Sequence, residues 1–233
     1  MSAPSPLDYA AWRRTRLGET TERLELRAVL ELAGCVRGLT ALDVGAGDGA
    51  YAIALAQRGA RASAVDVSSS ALAQATRNAL QGGVMLAPVA ADARQLPFRA
   101  GRFDLVLAVT TLCFVGSPGA AVREMARVLR PGGRLIVGEL GALSAWGTWR
   151  RLRGRLGSPI WRRAHFWTPA TLRRLVGDAG LEPGRLAGAV YYPPWGVAAA
   201  ALAPFDALLG RGTAVGAAFL VLEATKPIRP VAA

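Results

Sequence analysis

The sequence predicts an α/β fold built on a mostly parallel sheet with helices on both faces. Two observations carry this. Short apolar runs bounded by turn residues alternate with longer segments of helical spacing, and a glycine-rich turn follows the first of those runs. Helical crossovers between short, continuously apolar strands mark a parallel sheet buried on both sides. Strands are expected at 40–44 ("TALDV"), 61–67 ("RASAVDV"), 83–89 ("GVMLAPV"), 103–110 ("FDLVLAVT") and 134–140 ("RLIVGEL"). Helices are expected at about 48–58, 68–80 and 118–130, with Ser68 to Ser70 offering N-caps for the second. "LRPGG" at 129–133 reads as a helix stop and a turn into the next strand. A helix over 20–33 precedes the first strand. A helix over 169–179 and late strands near 186–192 and 217–225 follow the fifth.

A chain of 233 residues, 52% of them apolar, suffices for one domain with a large core. No run of about 20 uncharged apolar residues is present, so a spanning helix is not expected. "WGVAAAALAPFDALL" (195–209) comes nearest and is interrupted by Pro204 and Asp206. The N-terminal "MSAPSPLDYAAWRRTR" lacks the apolar core of a secretory signal. Cys35 and Cys113 lie far apart, without metal-ligand spacing, which fits a reduced, cytoplasmic compartment. Net charge is +12, from 27 Arg and the single Lys226. That charge is unevenly spread: between Gly141 and Gly177 there are eight arginines and no Asp or Glu.

The glycine-rich turn "ALDVGAGDGAYAIALA" (41–56) admits two ligands. Gly45, Gly47 and Ala50 fit a dinucleotide fingerprint, in which backbone N–H groups and a helix N-terminus receive a pyrophosphate. The same loop would receive the carboxylate of a methionine moiety, and Asp66, 21 positions after Gly45, could bond ribose hydroxyls in either case. Three features favour a methyl donor. Asp43 stands just before the loop, where a carboxylate opposes a pyrophosphate and suits an ammonium and a sulfonium. "AADARQLPF" (90–98) sets Asp92 past the third strand, placed to read an adenine edge with the next N–H. "RFDLVLAVTTLCFV" then leads through a short helix into "EMARVLRPGGRLIVGE".

With those segments in order, the chain resembles the class I S-adenosylmethionine-dependent methyltransferases. It is most similar to the broad group that includes the ubiquinone and menaquinone biosynthesis methyltransferases. "LDVGAGDG", "AVDVS", "ADARQLPF", "FDLVLAVTTLCFV" and "RVLRPGGRLIV" carry the likeness over about 9–140, and "HFWTPATLRRLVGDAGL" (165–181) extends it. The resemblance implies a Rossmann-like seven-stranded sheet of order 3-2-1-4-5-7-6 with strand seven antiparallel. It implies S-adenosylmethionine as methyl donor. Carried over by position, Asp43, Gly45 and Gly47 would surround the methionine end, Asp66 and Val67 the ribose, and Asp92 and Ala93 the adenine. Thr110 would lie beneath the donor, and "YAAWRRTRLG" resembles a lid in which Tyr9 and Trp12 close over it. Packing of an amphipathic helix on the sheet is the other reading of these two aromatics. The division expected is a helical lid over 1–36, a donor-binding core over 37–140, acceptor-side helices over 141–215 and a last strand and tail over 216–233.

The acceptor side is less marked. His165, the single histidine, is a candidate base or a hydrogen-bonding residue ahead of a helix. Glu139 at the tip of strand five is a candidate catalytic acid or a polar strand end, and Cys113 reads as pocket lining. "YYPPW" (191–195) invites comparison with the N/D-P-P-Y motif of amino-directed nucleic-acid methyltransferases. That motif follows strand four, where this chain has "TTLC", so the segment is read as shaping an aromatic acceptor pocket. A catechol-type metal site needs clustered acids that are not seen here, and arsenic methylation needs more than two cysteines, so no metal is expected. In 144–167, Trp146, Trp149, Leu152 and Leu156 fall at near-helical spacing beside Arg150, Arg151, Arg153 and Arg155. Such a segment suits a lid, a surface meeting anionic lipid, or a nucleic-acid contact. Gly147, Gly154 and Gly157 weaken it as an autonomous helix. The function expected is methyl transfer to a small aromatic or lipophilic acceptor. An RNA methyltransferase, a non-catalytic donor-binding regulator and an NAD-dependent dehydrogenase are the alternatives. Nothing in the chain indicates an oligomeric state.

Overall fold

The computed structural model describes residues 12–228. Helix α1 (Arg16–Ala33) starts where the Thr15 side chain accepts the Gly18 N–H and stops at Gly34, at a φ of 64°. It buries one face, including Thr21, Glu25, Ala28, Val29 and Leu32. Then follow β1 (Thr40–Val44), α2 (Ala50–Gln57), β2 (Arg61–Asp66), α3 (Ser69–Gln81) and β3 (Ala87–Ala90). The second half runs β4 (Phe103–Val109), α4 (Pro118–Val128), β5 (Leu129–Leu140), α5 (Ala145–Arg155), α6 (Pro159–Arg163) and α7 (Pro169–Gly177). It closes with β6 (Glu182–Ala189), α8 (Gly196–Leu202), α9 (Asp206–Gly212) and β7 (Phe219–Thr225).

The seven strands form one sheet in the order β3-β2-β1-β4-β5-β7-β6. β1, β2, β3, β4 and β5 pair in parallel, and β7 runs antiparallel between β5 and β6. The arrangement implied by the resemblance is therefore the one observed. Strand alternation sorts the core into two layers. Val106 and Ala108 of β4 join α4 and α7 on one face, through Met125, Leu172 and Val176. Leu105, Leu107 and Val109 join α1, Trp146 and Tyr192 on the other. A sheet buried on both sides explains why its central strands read as continuous apolar runs.

Ser68 caps α3 as expected, accepting the Ala71 N–H at 3.2 Å. Several boundaries differ from the sequence reading, among them a first helix that begins at Arg16 and a β6 that begins at Glu182. β3 begins at Ala87, not 83, because Gly83 takes a φ of 69° and the Val84 N–H bonds back to Ala79 O at 2.9 Å, at the end of α3. β5 begins at Leu129, so "LRPGG" belongs to an irregular strand whose register shifts between Phe103 and Leu105. Lys226 donates to the carbonyls of Ala126 and Leu129 at 2.7 Å, holding the end of α4 where that strand starts. β6 ends at Ala189, not 192, since Val190 has a φ of 63° and the buried Asp206 accepts N–H groups from Val190 and Tyr191. Among the described residues, no helix is long and apolar enough to cross a membrane.

Candidate functional site

The carboxyl ends of β1, β2, β3 and β4 open on a cleft of about 370 Å³, within the range of small-ligand pockets. Ligands of open parallel sheets bind at this end, where the strand order reverses. Gly45, Asp66, Val67, Asp92, Ala93 and Thr110, all singled out in the sequence, line it.

The loop after β1 is shaped by close approach. Gly45 has a φ of 73°, and a Cβ there would overlap the Thr111 side chain. Thr111, absent from the sequence reading, is buried and donates its hydroxyl to Val44 O at 2.9 Å, tying the loop to the turn after β4. Gly47 has a φ of 55° with open space where a Cβ would point. Asp66 accepts the Gly47 N–H on Oδ2 and the Ser68 N–H on Oδ1, each at 2.9 Å. A carboxylate has further lone pairs, so this leaves capacity for hydroxyl donors in the cleft. Beside it Val67 is 73% exposed, an aliphatic side chain set on the cleft wall for a flat ligand ring.

Asp43 does not line the cleft. It is buried behind the loop and accepts the Ala52 N–H at the start of α2 at 3.1 Å. Burial, with the charges of Asp66 and Asp48 nearby, pushes its carboxyl up to about 7. Three acids around one glycine loop favour a cationic ligand and disfavour a pyrophosphate. A cation drawn to Asp43 shifts that carboxyl back toward ionisation, so ligand binding releases a proton below pH 7. We therefore expect affinity for S-adenosylhomocysteine to rise between pH 5.5 and 7, read by calorimetry in buffers of different ionisation heat. An affinity flat over that interval would remove Asp43 from the ligand's charge balance.

The segment after β3, expected to receive an adenine, carries an ion pair that the sequence reading does not include. Asp92 is held by Arg94, with Nη2 to Oδ2 at 2.6 Å, and that guanidinium keeps its carboxyl down at about 2. Arg94 also lines the cleft, so any donor group that reaches the Asp92 carboxylate meets this guanidinium. The turn after β4 forms the remaining wall through Thr111, Phe114, Val115 and Gly116. Thr110 opens that turn with a φ of 48°, an uncommon conformation for a β-branched residue, and donates its N–H to Gly138 O at 2.7 Å. Strain of this sort persists only where neighbours over-determine it.

Glu139, the candidate catalytic residue at the end of β5, supplies that determination. Its carboxylate is fully buried and accepts three successive N–H groups, from Thr111 at 3.1 Å, Leu112 at 2.7 Å and Cys113 at 3.1 Å. Burial outweighs those donors and raises its carboxyl to about 7. Glu139 thus faces the underside of the turn and is not part of the cleft lining. Cys113 is buried, and burial together with Glu139 holds its thiol well above the usual range, so it offers no nucleophile. His165 donates its backbone N–H to Cys113 O at 2.8 Å, which places it next to the same turn. Its ring is exposed and set against Trp167, with centroids 4.1 Å apart, and partial burial lowers its pKa.

The remaining aromatics do not gather into one acceptor pocket. Tyr192 is buried and bonds Thr21 of α1 at 2.9 Å, while the Tyr191 hydroxyl donates to Thr213 O. Trp12 lies edge-on to Trp146 at 6.2 Å, away from the cleft lining. Its neighbour Arg13 pairs with Asp48 of the glycine loop and with Glu22, so this segment is tied to the loop through charge. Tyr9 lies outside the described residues. Among the described residues no cluster of three His, Cys, Asp or Glu could hold a metal ion.

A model of the methyltransferase domain matches residues 42–137, the stretch from β1 to β5 that builds this cleft. An uncharacterised protein of Mycobacterium tuberculosis is 33% identical over 220 residues, covering 93% of this chain and 70% of its own. A ubiquinone biosynthesis O-methyltransferase of Bordetella avium is 32% identical over 177 residues, 73% of each chain. Among solved structures, a Thermotoga maritima S-adenosylmethionine-dependent methyltransferase described as a possible histamine N-methyltransferase superposes with a TM-score of 0.71. It is 23% identical and covers 95% of this chain and 96% of its own, a likeness of fold. The chain belongs to the class I S-adenosylmethionine-dependent methyltransferases. Its methyl donor is S-adenosylmethionine.

Proposed function

We propose that this enzyme methylates a small aromatic or lipophilic organic molecule, without a metal, and acts in the cytoplasm. The observation that carries the acceptor class is the wall beyond Thr110: Phe114, Val115 and Gly116 form an apolar side of the cleft, with Phe114 47% exposed toward it. The Bordetella avium relative, by its name, acts in ubiquinone biosynthesis, which supports an acceptor of that kind. The two cysteines are free, which suits a reducing compartment.

The residues fit the donor. The glycine loop leaves room at Gly47, Asp66 offers carboxylate lone pairs beside the exposed Val67, and the buried Asp43 behind the loop can ionise as a cation binds. When bound, S-adenosylmethionine supplies a methyl group already activated on a sulfonium. The protein's task is then alignment, worth roughly 7–11 kcal/mol when an acceptor is held in line. Thr110 and the turn held by Glu139 fix the floor against which an acceptor rests. We assign His165 the uptake of the acceptor's proton where there is one, since it is tied to the turn after β4 and partial burial favours its neutral form. A rate that climbs through the acidic range in the wild type and loses that limb in His165→Asn supports this; identical profiles overturn it.

The acceptor class is tested by incubating the protein and methyl-labelled donor with total cell extract, then separating RNA from solvent-extractable molecules. Label in the solvent-extractable fraction is expected. Label confined to RNA selects the RNA methyltransferase reading, and tight donor binding with no transfer selects the regulator.

A further inference from the structure

We infer that α5, with the segments flanking it, is a docking face for an anionic lipid bilayer. α5 carries two distinct faces. One is inward: Trp146, Gly147, Arg150 and Gly154 are buried. The other is outward: Trp149 is 48% exposed, Leu152 44% and Leu156 77%. Spacings of three and four residues place these three on one stripe. Arg153 and Arg155 are exposed alongside it.

The helix cannot roll to hide that stripe. A Cβ at Gly147 would overlap Gly141 O, and one at Gly154 would lie 3.0 Å from the Trp161 backbone, so both glycines mark close packing. Arg150 is clamped between the rings of Trp146 and Trp161, with its guanidinium carbon 4.8 and 5.1 Å from their centroids. The glycines that weaken this helix by propensity are what seat it, and the seat turns Trp149, Leu152 and Leu156 outward.

Charge selects the occupant. From Gly141 to Gly177 no acid interrupts the eight arginines, and Arg162 and Arg163 on α6 are exposed as well. An apolar stripe with a tryptophan, rimmed by arginine and free of acids, matches the interface of a bilayer bearing anionic headgroups. A nucleic acid has no use for the leucines, and a second copy of this face would meet it with like charge.

Cosedimentation with vesicles of equimolar phosphatidylglycerol and phosphatidylcholine tests this, with phosphatidylcholine alone as the comparison. The protein is expected to pellet with the anionic vesicles at low salt and to be released as salt rises. Arg153→Glu with Arg155→Glu should lower the partition more than about tenfold. Trp149→Ser with Leu152→Ser and Leu156→Ser should do the same, each variant keeping its wild-type melting temperature. Failure of the wild type to pellet overturns the inference. So does binding that both variants retain, or a stripe-dependent dimer that ignores vesicles. None of these readouts involves methyl transfer, so they stand apart from the acceptor proposal.

Discussion

Asp66→Ala is expected to weaken binding of S-adenosylhomocysteine about a hundredfold, with the chain still folded. Two consequences add. The carboxylate that would accept the ribose hydroxyls is lost, and hydrogen bonds to a charged group are worth about 1.5–3 kcal/mol each. The Gly47 and Ser68 N–H groups also lose the acceptor that fixes the glycine loop against the end of β2. Asp66→Asn keeps one acceptor oxygen and should fall between. Asp66 is half-buried at a loop, so the melting temperature should move little. Calorimetric titration checks both variants; an unchanged affinity in the alanine variant would take Asp66 out of the donor site.

Glu139→Ala is expected to act on stability first. It strips the acceptor from three adjacent buried N–H groups, a loss of about 3 kcal/mol and roughly 6–12 °C in melting temperature at pH 7. Glu139→Gln retains one oxygen acceptor but turns an amide nitrogen toward a donor, and should cost less. The pH dependence separates the two roles that Glu139 could play. Its carboxyl lies near 4.5 in the unfolded chain and about 7 in the folded one, so the folded state holds the extra proton between those values. Stability from this group therefore falls as pH rises from about 4.5 to about 7, and the Gln variant should lose that part of the slope. A Glu139→Ala protein with wild-type melting and depressed turnover would restore the direct catalytic reading.

The donor half of the site was legible because each of its residues sits within a few positions of a strand end. Its strand end places Asp66 and the turn past the third strand places Ala93, while Val67 comes only from the family resemblance; all three line the cleft. What escaped depends on partners distant in the chain. The bonds of Glu139 reach back 26 to 28 residues, and a buried cap and an exposed strand-end acid look alike in sequence. Thr111 matters because it fills the space that Gly45 leaves. Arg94 takes up Asp92 by a side-chain fold-back that no periodicity encodes. The stretch 190–216 was unreadable for another reason. Its helices are short, and its start is fixed by the buried Asp206 accepting N–H groups from 15 and 16 residues earlier. "YYPPW" accordingly splits, Tyr192 into the core and Trp195 into solvent.

The proposed donor cradle is assembled from four strand ends, with its far wall set by the turn after β4. Amide hydrogen exchange with and without S-adenosylhomocysteine tests it most directly. Protection is predicted in 45–49, 66–68, 91–94 and 110–116 together, and no comparable change in 190–216. Protection confined to 190–216, or absent from 45–49 and 66–68 while the ligand is bound, would contradict it.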